Sequence, residues 1–249
     1  PQRYFQRVDS DDLSVDPNQT SLTGTATEIS FQKASGEHWT WSVSGSLVTP
    51  GYESNDVGFQ QRSNYKAVSS AVMYTERAPK YLQSYTITGK WKYGRNSDND
   101  MIRNEYIVGL NTKFNNLWSF NVNSIINFPN LDERITRGGP MYLMPQNTNY
   151  NFSISSNPAK KVTASHSQTH ILDTEGEYSH SYDFEVSYRP TSFIQMTVEP
   201  SLNFNNNLNQ YITTRSRSDI ANDPDLTYGN RYIFSDIEQT TVATEFRLD

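Results

Sequence analysis

At 249 residues and a formal net charge of −6, the chain can form one large β domain or two small ones, and it lacks the basic excess that general nucleic-acid binding needs. No apolar run exceeds four residues, which excludes a membrane-spanning helix of roughly 20 residues, and the absence of cysteine excludes disulfides, thiol catalysis and thiolate metal sites. A hydrophobic share of 35% looks soluble, as does a mean hydropathy of −0.73, but such values also suit a chain whose alternate residues alone meet lipid, and the 16 Tyr suit membrane interfaces.

Residues 1–20 are polar and turn-rich and read as an outer loop. Asp9, Asp11 and Asp12 form an acidic cluster there. Calcium needs convergent oxygen ligands, so a solvated loop is the favoured reading. The chain opens at Pro1 without an initiator Met or a signal peptide, as a mature protein or a piece of a longer one would.

Segments 21–33 and 38–48 form a first pair of strands about the short turn 34–37. Trp39, Trp41, Val43, Gly45 and Leu47 alternate with Thr40, Ser42, Ser44 and Ser46, the period-two pattern of a half-apolar strand. A long loop, 49–64, precedes the strand 65–76, and the turn 77–80 leads to 81–93. That strand sets Tyr85, Ile87, Gly89, Trp91 and Tyr93 against Thr86, Thr88, Lys90 and Lys92. After the loop 94–100 comes the clearest hairpin, 102–114 and 117–128, turning at Asn115-Asn116, a pair suited to positive φ. Tyr106, Val108 and Leu110 share a face of its first strand against Arg103, Glu105 and Lys113; Trp118, Phe120 and Val122 share a face of its second against Asn121 and Asn123.

Segment 129–148 reads as a long loop holding Arg134, Arg137, Gly138 and Gly139. A weaker pair, 149–156 and 161–171, turns at 157–160, and a strong pair, 179–189 and 193–204, turns at 190–192. In the strong pair Phe184, Val186, Met196 and Val198 oppose Asp183, Glu185, Arg189 and Glu199. Pro200 falls on the apolar side and predicts a bulge, since it offers no ladder donor. Residues 205–229 read as a long Asn/Asp/Arg loop and 230–249 as extended chain.

Two regularities run through these strands. In the five clearest, no Lys, Arg, Asp or Glu falls on the apolar face, and nine fall opposite: Lys90, Lys92, Arg103, Glu105, Lys113, Asp183, Glu185, Arg189 and Glu199. A Lys or Arg facing lipid at mid-membrane costs about 2–4 kcal/mol, which would enforce such a split, although a soluble sandwich core would as well. Secondly, connections alternate between short and long almost throughout, as in outer-membrane barrels with short periplasmic turns and long outer loops. Greek-key sandwiches do not demand that order. The expected fold is therefore all-β: an antiparallel up-and-down transmembrane β-barrel, here an incomplete portion of about 11 long strands, with residues 1–249 forming one barrel segment of a longer chain. Single-chain bacterial barrels have even strand numbers, so further strands are expected to complete it. Trp91, Tyr106, Val108, Leu110, Trp118, Phe120, Val122, Phe184, Val186, Met196 and Val198 are the expected lipid-facing residues, and the nine charged residues the expected lumen lining.

Several segments resemble a known family. Arg3-Tyr4-Phe5-Gln6-Arg7, Ser21-Leu22-Thr23-Gly24, Lys33 with Ser35-Gly36 and Trp39, and above all Pro50-Gly51-Tyr52-Glu53-Ser54-Asn55-Asp56-Val57-Gly58-Phe59 followed by Arg62 are similar to the domain-of-unknown-function 5916 family, as is the segment from Tyr232 to Leu248. The resemblance implies an outer-membrane β-barrel of Bacteroidota and related bacteria. It also implies an upstream signal peptide and a β-sandwich similar to a family 9 carbohydrate-binding module, neither of which lies in these residues. No catalytic residue carries over from it.

Among candidate sites, His166, His170 and His180 fall on one face, with His170 and His180 opposite each other, a spacing open to a metal. Polar residues near the outer rim are the favoured reading, because a metal site requires further supporting groups. Asp183 and Glu185 could pair for glycoside hydrolysis, but acids lining any polar lumen look the same. In the loop 49–64, Tyr52, Glu53, Asn55, Asp56 and Phe59 combine aromatic surface with polar groups, as a glycan site would, or as a plug over a barrel mouth would. The expected function is a non-enzymatic outer-membrane barrel without metal or cofactor. It would anchor a carbohydrate-binding domain or pass a glycan-derived or other solute, with membrane lipid, glycans or other envelope proteins as partners and no nucleic acid. The alternatives are a soluble all-β carbohydrate-binding or adhesin-like module and a barrel-associated glycan hydrolase.

Overall fold

The computed structural model describes residues 7–10, 18, 20–54, 60 and 62–249. Among them there is no helix, and the strands are β1 (Ala26–Lys33), β2 (Trp39–Val48), β3 (Tyr65–Arg77), β4 (Leu82–Arg95), β5 (Met101–Phe114), β6 (Ser119–Asn127), β7 (Asn130–Asp132), β8 (Tyr142–Met144), β9 (Asn147–Ser155), β10 (Val162–Asp173), β11 (Tyr178–Thr191), β12 (Ile194–Ser216) and β13 (Asn230–Leu248). Eleven of them form one antiparallel sheet in which each strand pairs with its sequence neighbours, while β7 and β8 make a separate ribbon between β6 and β9. The sheet is open, with β1 and β13 as its edges.

The register carries one face unbroken across the sheet. Lys33, Trp41, Val72, Gly89, Val108, Ser124, Tyr150, His170, His180, Phe204 and Thr240 form a single cross-strand row. Because side chains alternate along each strand, the expected apolar residues Trp91, Tyr106, Val108, Leu110, Phe120, Val122, Phe184, Val186, Met196 and Val198 all share that face. The exposure is inverted relative to a soluble protein. Phe31, Val108, Val242 and Phe246 are 67%, 60%, 74% and 76% exposed, and Val48 and Ile102 are the buried large apolar side chains among the described residues. The other buried side chains are polar: Arg7, Ser63, Asn64, Asn96, Glu105, Thr112, Glu133, Thr136, Ser187 and Thr197.

The sheet is also curled, with its polar face inside. Asp132 and Tyr142 are directly bridged in the β7–β8 ribbon. Asp132 lies 4.0 Å from Arg62, just before β3, while the Tyr142 hydroxyl donates to Asn209 of β12 at 2.7 Å. In a flat sheet β3 and β12 would stand roughly 34 Å apart, at about 4.8 Å per strand. One bridged pair can touch both wings only if they have rolled toward each other.

Several expectations are corrected. The first strand begins at Ala26 rather than residue 21, and the loop 129–148 contains the β7–β8 ribbon. The expected loop 205–229 is strand as far as Ser216, because β13 pairs along that whole extension. Pro200 makes no bulge: β11 and β12 keep one register from Asp183↔Ser201 to Val186↔Val198, and the register shifts of β12 lie opposite Tyr188/Thr191 and at Asn207/Gln210 and Tyr211/Thr213. In the tight hairpin positive φ falls on Leu117, at 69°, not on Asn115 or Asn116. Asn116 contributes its side-chain oxygen instead, accepting from the Trp118 N–H at 3.1 Å, so Trp118 belongs to the turn rather than to β6.

Candidate functional site

Charge on the polar face is sorted by strand. β4 and β5 turn Lys90, Lys92, Arg103 and Lys113 to it with one acid, Glu105; β6 and β9 turn only Ser, Asn and Ile; β11 and β12 turn Asp183, Glu185 and Glu199 with one base, Arg189, beside the short turn. The amide-rich middle is internally bonded. Asn121 donates to Ser153 at 3.1 Å, Asn127 to Asn147 at 2.8 Å, and the Thr169 hydroxyl to Asn151 at 2.9 Å.

At the long-loop end β3, β4 and β5, the residues just before β3 and the β7–β8 ribbon line a cleft of about 730 Å³. Lys92, Arg103 and Glu105 enter it from β4 and β5, Asn130, Asp132 and Arg134 from the ribbon, Ser54, Gln60 and Arg62 from the connection between β2 and β3, and Tyr65 from the start of β3. Lys92 Nζ lies 2.8 Å from Glu105 Oε1, and Arg103 Nη2 lies 2.9 Å from Glu105 Oε2. Asp132 Oδ1 accepts from the backbone N–H groups of Arg134 and Ile135 at 2.6 and 3.0 Å, and its Oδ2 lies 3.1 Å from Arg134 Nη2. Burial pushes the Asp132 carboxyl up, but these donors and the Arg134 charge outweigh it and hold the group below its ordinary range.

Behind the cleft Arg7 is fully buried between three acids: Asp98 at 2.7 Å, Asp9 at 3.3 Å and Glu133 at 3.4 Å. It clamps residues 7–10 to the β4–β5 loop and to the ribbon, with Asp9 accepting from the Met141 N–H at 2.8 Å. Glu133 also faces Arg62, at 3.5 Å, yet its pKa is raised, because burial outweighs two ion pairs this long. Burial likewise lowers the pKa of Arg62.

The expected loop site is only partly in view. Asn55, Asp56 and Phe59 lie outside the described residues. Ser54 and Gln60, rather than Tyr52 and Glu53, line the cleft. Gln60 ties the arms of the loop together, donating to the Tyr52 carbonyl at 3.1 Å and accepting from the Ser54 N–H at 2.8 Å. Asp183, Glu185 and Glu199 share a separate recess of about 540 Å³ with Glu245, and Glu185 and Arg189 also line one of about 360 Å³ near the short turns. His170 and His180 meet through Nδ1 atoms 2.8 Å apart, and His166 stacks on Phe184 at 4.2 Å, all on the apolar face. Among the described residues no three potential metal ligands gather. The cleft residues Arg62, Asp132 and Arg134 went unassigned in the sequence, because they converge only through the ribbon hidden in the loop 129–148.

The profile of a domain of unknown function, DUF5916, matches residues 4–248. The chain belongs to this family. The DUF5916 match spans both the curled sheet and the loops that build the cleft. No curated protein and no solved structure matches the chain.

Proposed function

We propose that this DUF5916 chain forms most of the wall of an outer-membrane β-barrel that binds or passes a glycan-derived or other solute along its polar face. The observation that carries the proposal is the inverted exposure: a continuous apolar face lies bare, while the side chains withdrawn from solvent are polar. Soluble monomers rarely leave contiguous apolar patches beyond a few hundred Å² uncovered, and lipid is the medium that such a face fits. β3, β4, β5 and β11, at 13 or 14 residues, exceed the roughly 9–11 a tilted strand needs to cross the hydrocarbon.

Aromatic clusters at both strand ends support the same reading. Trp39, Tyr74 and Tyr85 are in ring contact toward the short turns, and Trp91, Tyr106 and Phe128 toward the long loops, as interfacial girdles would be. Of the charged residues on the apolar face, Lys33, Lys66 and Glu76 stand at strand ends, and Glu238 lies in the cross-strand row of Trp91 and Tyr106, at the level of the aromatic cluster toward the long loops. The unpaired ladder groups of β1 and β13 would need further strands within a membrane, so the working barrel includes strands beyond these. The work is done by binding and permeation, with Lys90, Lys92, Arg103, Glu105, Lys113, Asp183, Glu185, Arg189 and Glu199 as lumen wall.

The test is membrane fractionation of the full-length protein followed by electrophoresis with and without heating. Recovery from the outer membrane with heat-modifiable migration is expected. A monodisperse soluble monomer would overturn the proposal in favour of a soluble binding module.

A further inference from the structure

We propose that the cleft at the long-loop end binds a small solute bearing carboxylate or phosphate oxygens. The inference deepens the solute-binding role argued above and rests on it for the route by which the ligand arrives. The site's chemistry stands on its own geometry.

Its carboxylate acceptors are already taken. Glu105 receives Lys92 on one oxygen and Arg103 on the other, and both oxygens of Asp132 are engaged, one by two backbone N–H groups and one by Arg134. Donors remain uncommitted. Lys92 gives one of its three N–H bonds to Glu105, Arg103 bonds through Nε and Nη2, and Arg134 through Nη2. That leaves Nη1 of both arginines and Nε of Arg134 without a hydrogen-bond acceptor among the described residues.

The charges agree. Four cations, Arg62, Lys92, Arg103 and Arg134, line the cleft against the two carboxylates Glu105 and Asp132. Glu133, the nearest further acid, is held by Arg7 and Arg62. The side chains of Arg103 and Arg134 are 48% and 59% exposed, so their free edges are open to an incoming ligand. A guanidinium edge presents parallel N–H groups that match two oxygens of a carboxylate or phosphate, whereas a neutral hydroxyl answers one donor at a time. The volume, about 730 Å³, is in the range of small-ligand sites.

The experiment titrates the full-length detergent-purified protein by calorimetry with a trigalacturonate, with inorganic pyrophosphate and with a neutral galactose trisaccharide. At least one anionic probe should bind about tenfold or more tightly than the neutral one, the margin of about one charge-assisted hydrogen bond. Which anion leads distinguishes an acidic sugar from a phosphate ligand. Arg103→Gln and Arg134→Gln should each weaken it by about tenfold or more, and added salt should weaken it further. Arg77→Gln, at the opposite strand end, should leave it unchanged, and each variant's heat-modifiable band reports its folding. Equal binding of the neutral sugar, no anion binding, or unaltered affinity in both folded cleft variants would overturn the inference. Anion binding by a protein absent from the outer membrane would sink the barrel proposal alone, and a heat-modifiable outer-membrane protein that ignores all anions would sink this inference alone.

Discussion

Gly51 and Gly24 hold the loop between β2 and β3 against the chain that enters β1. A Cβ on Gly51 would lie 2.2 Å from the Thr23 carbonyl oxygen, and one on Gly24 would lie 2.1 Å from the Tyr52 nitrogen, with backbone on both sides. Gly51→Ala should therefore force the two segments apart, costing about 1–3 kcal/mol, and should appear as faster proteolysis within 49–64 while the sheet keeps its heat-modifiable band. Glu133 supplies a second test. Its folded pKa is raised above the ordinary 4.5 by burial, so between those values the folded ribbon holds a proton that the unfolded chain releases. Its contribution to stability is complete below about 4.5 and is lost as pH rises through the raised value. Amide exchange in 130–144, corrected for intrinsic rate, should accelerate over that window in the wild type and stay flat in Glu133→Gln; equal slopes would refute the assignment. At this scale the sequence showed residue types but not their meetings. The Pro50-Gly51-Tyr52 block stood out, yet the reason for its glycine is a carbonyl 28 positions earlier in the chain.

At the scale of elements, periodicity was a sound guide wherever one face was plainly apolar, as in β2, β4, β5 and the lower half of β11. It failed in the upper part of β12, where Asn205, Asn206, Asn207 and Asn209 argue against strand. That extension persists because β13 pairs with it and because Glu177, at the start of the β11 hairpin, caps its bulge. Glu177 Oε1 accepts from the Leu208 and Asn209 N–H groups at 2.7 and 2.8 Å, the two amides in the gap between Asn207 and Gln210. Glu177→Ala should strip the Leu208 amide of its acceptor, leave Asn209 only the Asn207 side-chain oxygen at 2.9 Å and loosen 207–216 by about 1–3 kcal/mol, while Glu177→Gln, which keeps a side-chain oxygen, should be milder. Hydrogen exchange at Leu208 reads this directly, and equal protection there in wild type and alanine variant would show that the cap is idle. The ribbon β7–β8 escaped notice for another reason: strands of three residues are too short to display a period.

For the whole molecule, the alternation that was legible from one strand at a time becomes, through register, a single surface. A soluble sandwich and a lipid-facing wall would share that alternation; they differ in which face is bare, and that depends on curvature, which no single strand encodes. The sorted charge of the polar face was hidden in the same way, since it emerges only when strands are laid side by side. Val108 and Asn121 put the facing to the sharpest trial. Val108 is 60% exposed on the apolar face, whereas Asn121 lies on the polar face and donates to Ser153 at 3.1 Å. If hydrocarbon covers the apolar face, Val108→Lys and Val122→Lys should each cost about 2–4 kcal/mol near mid-membrane and reduce the heat-modifiable fraction on assembly into lipid vesicles. Asn121→Lys, which turns its charge toward water and a wall already rich in ionised groups, should assemble nearly as well as the wild type. Tolerance at Val108 matching that at Asn121 would mean that water meets the apolar face and would overturn the facing, because an ammonium set against either hydrocarbon or packed side chains loses its hydration.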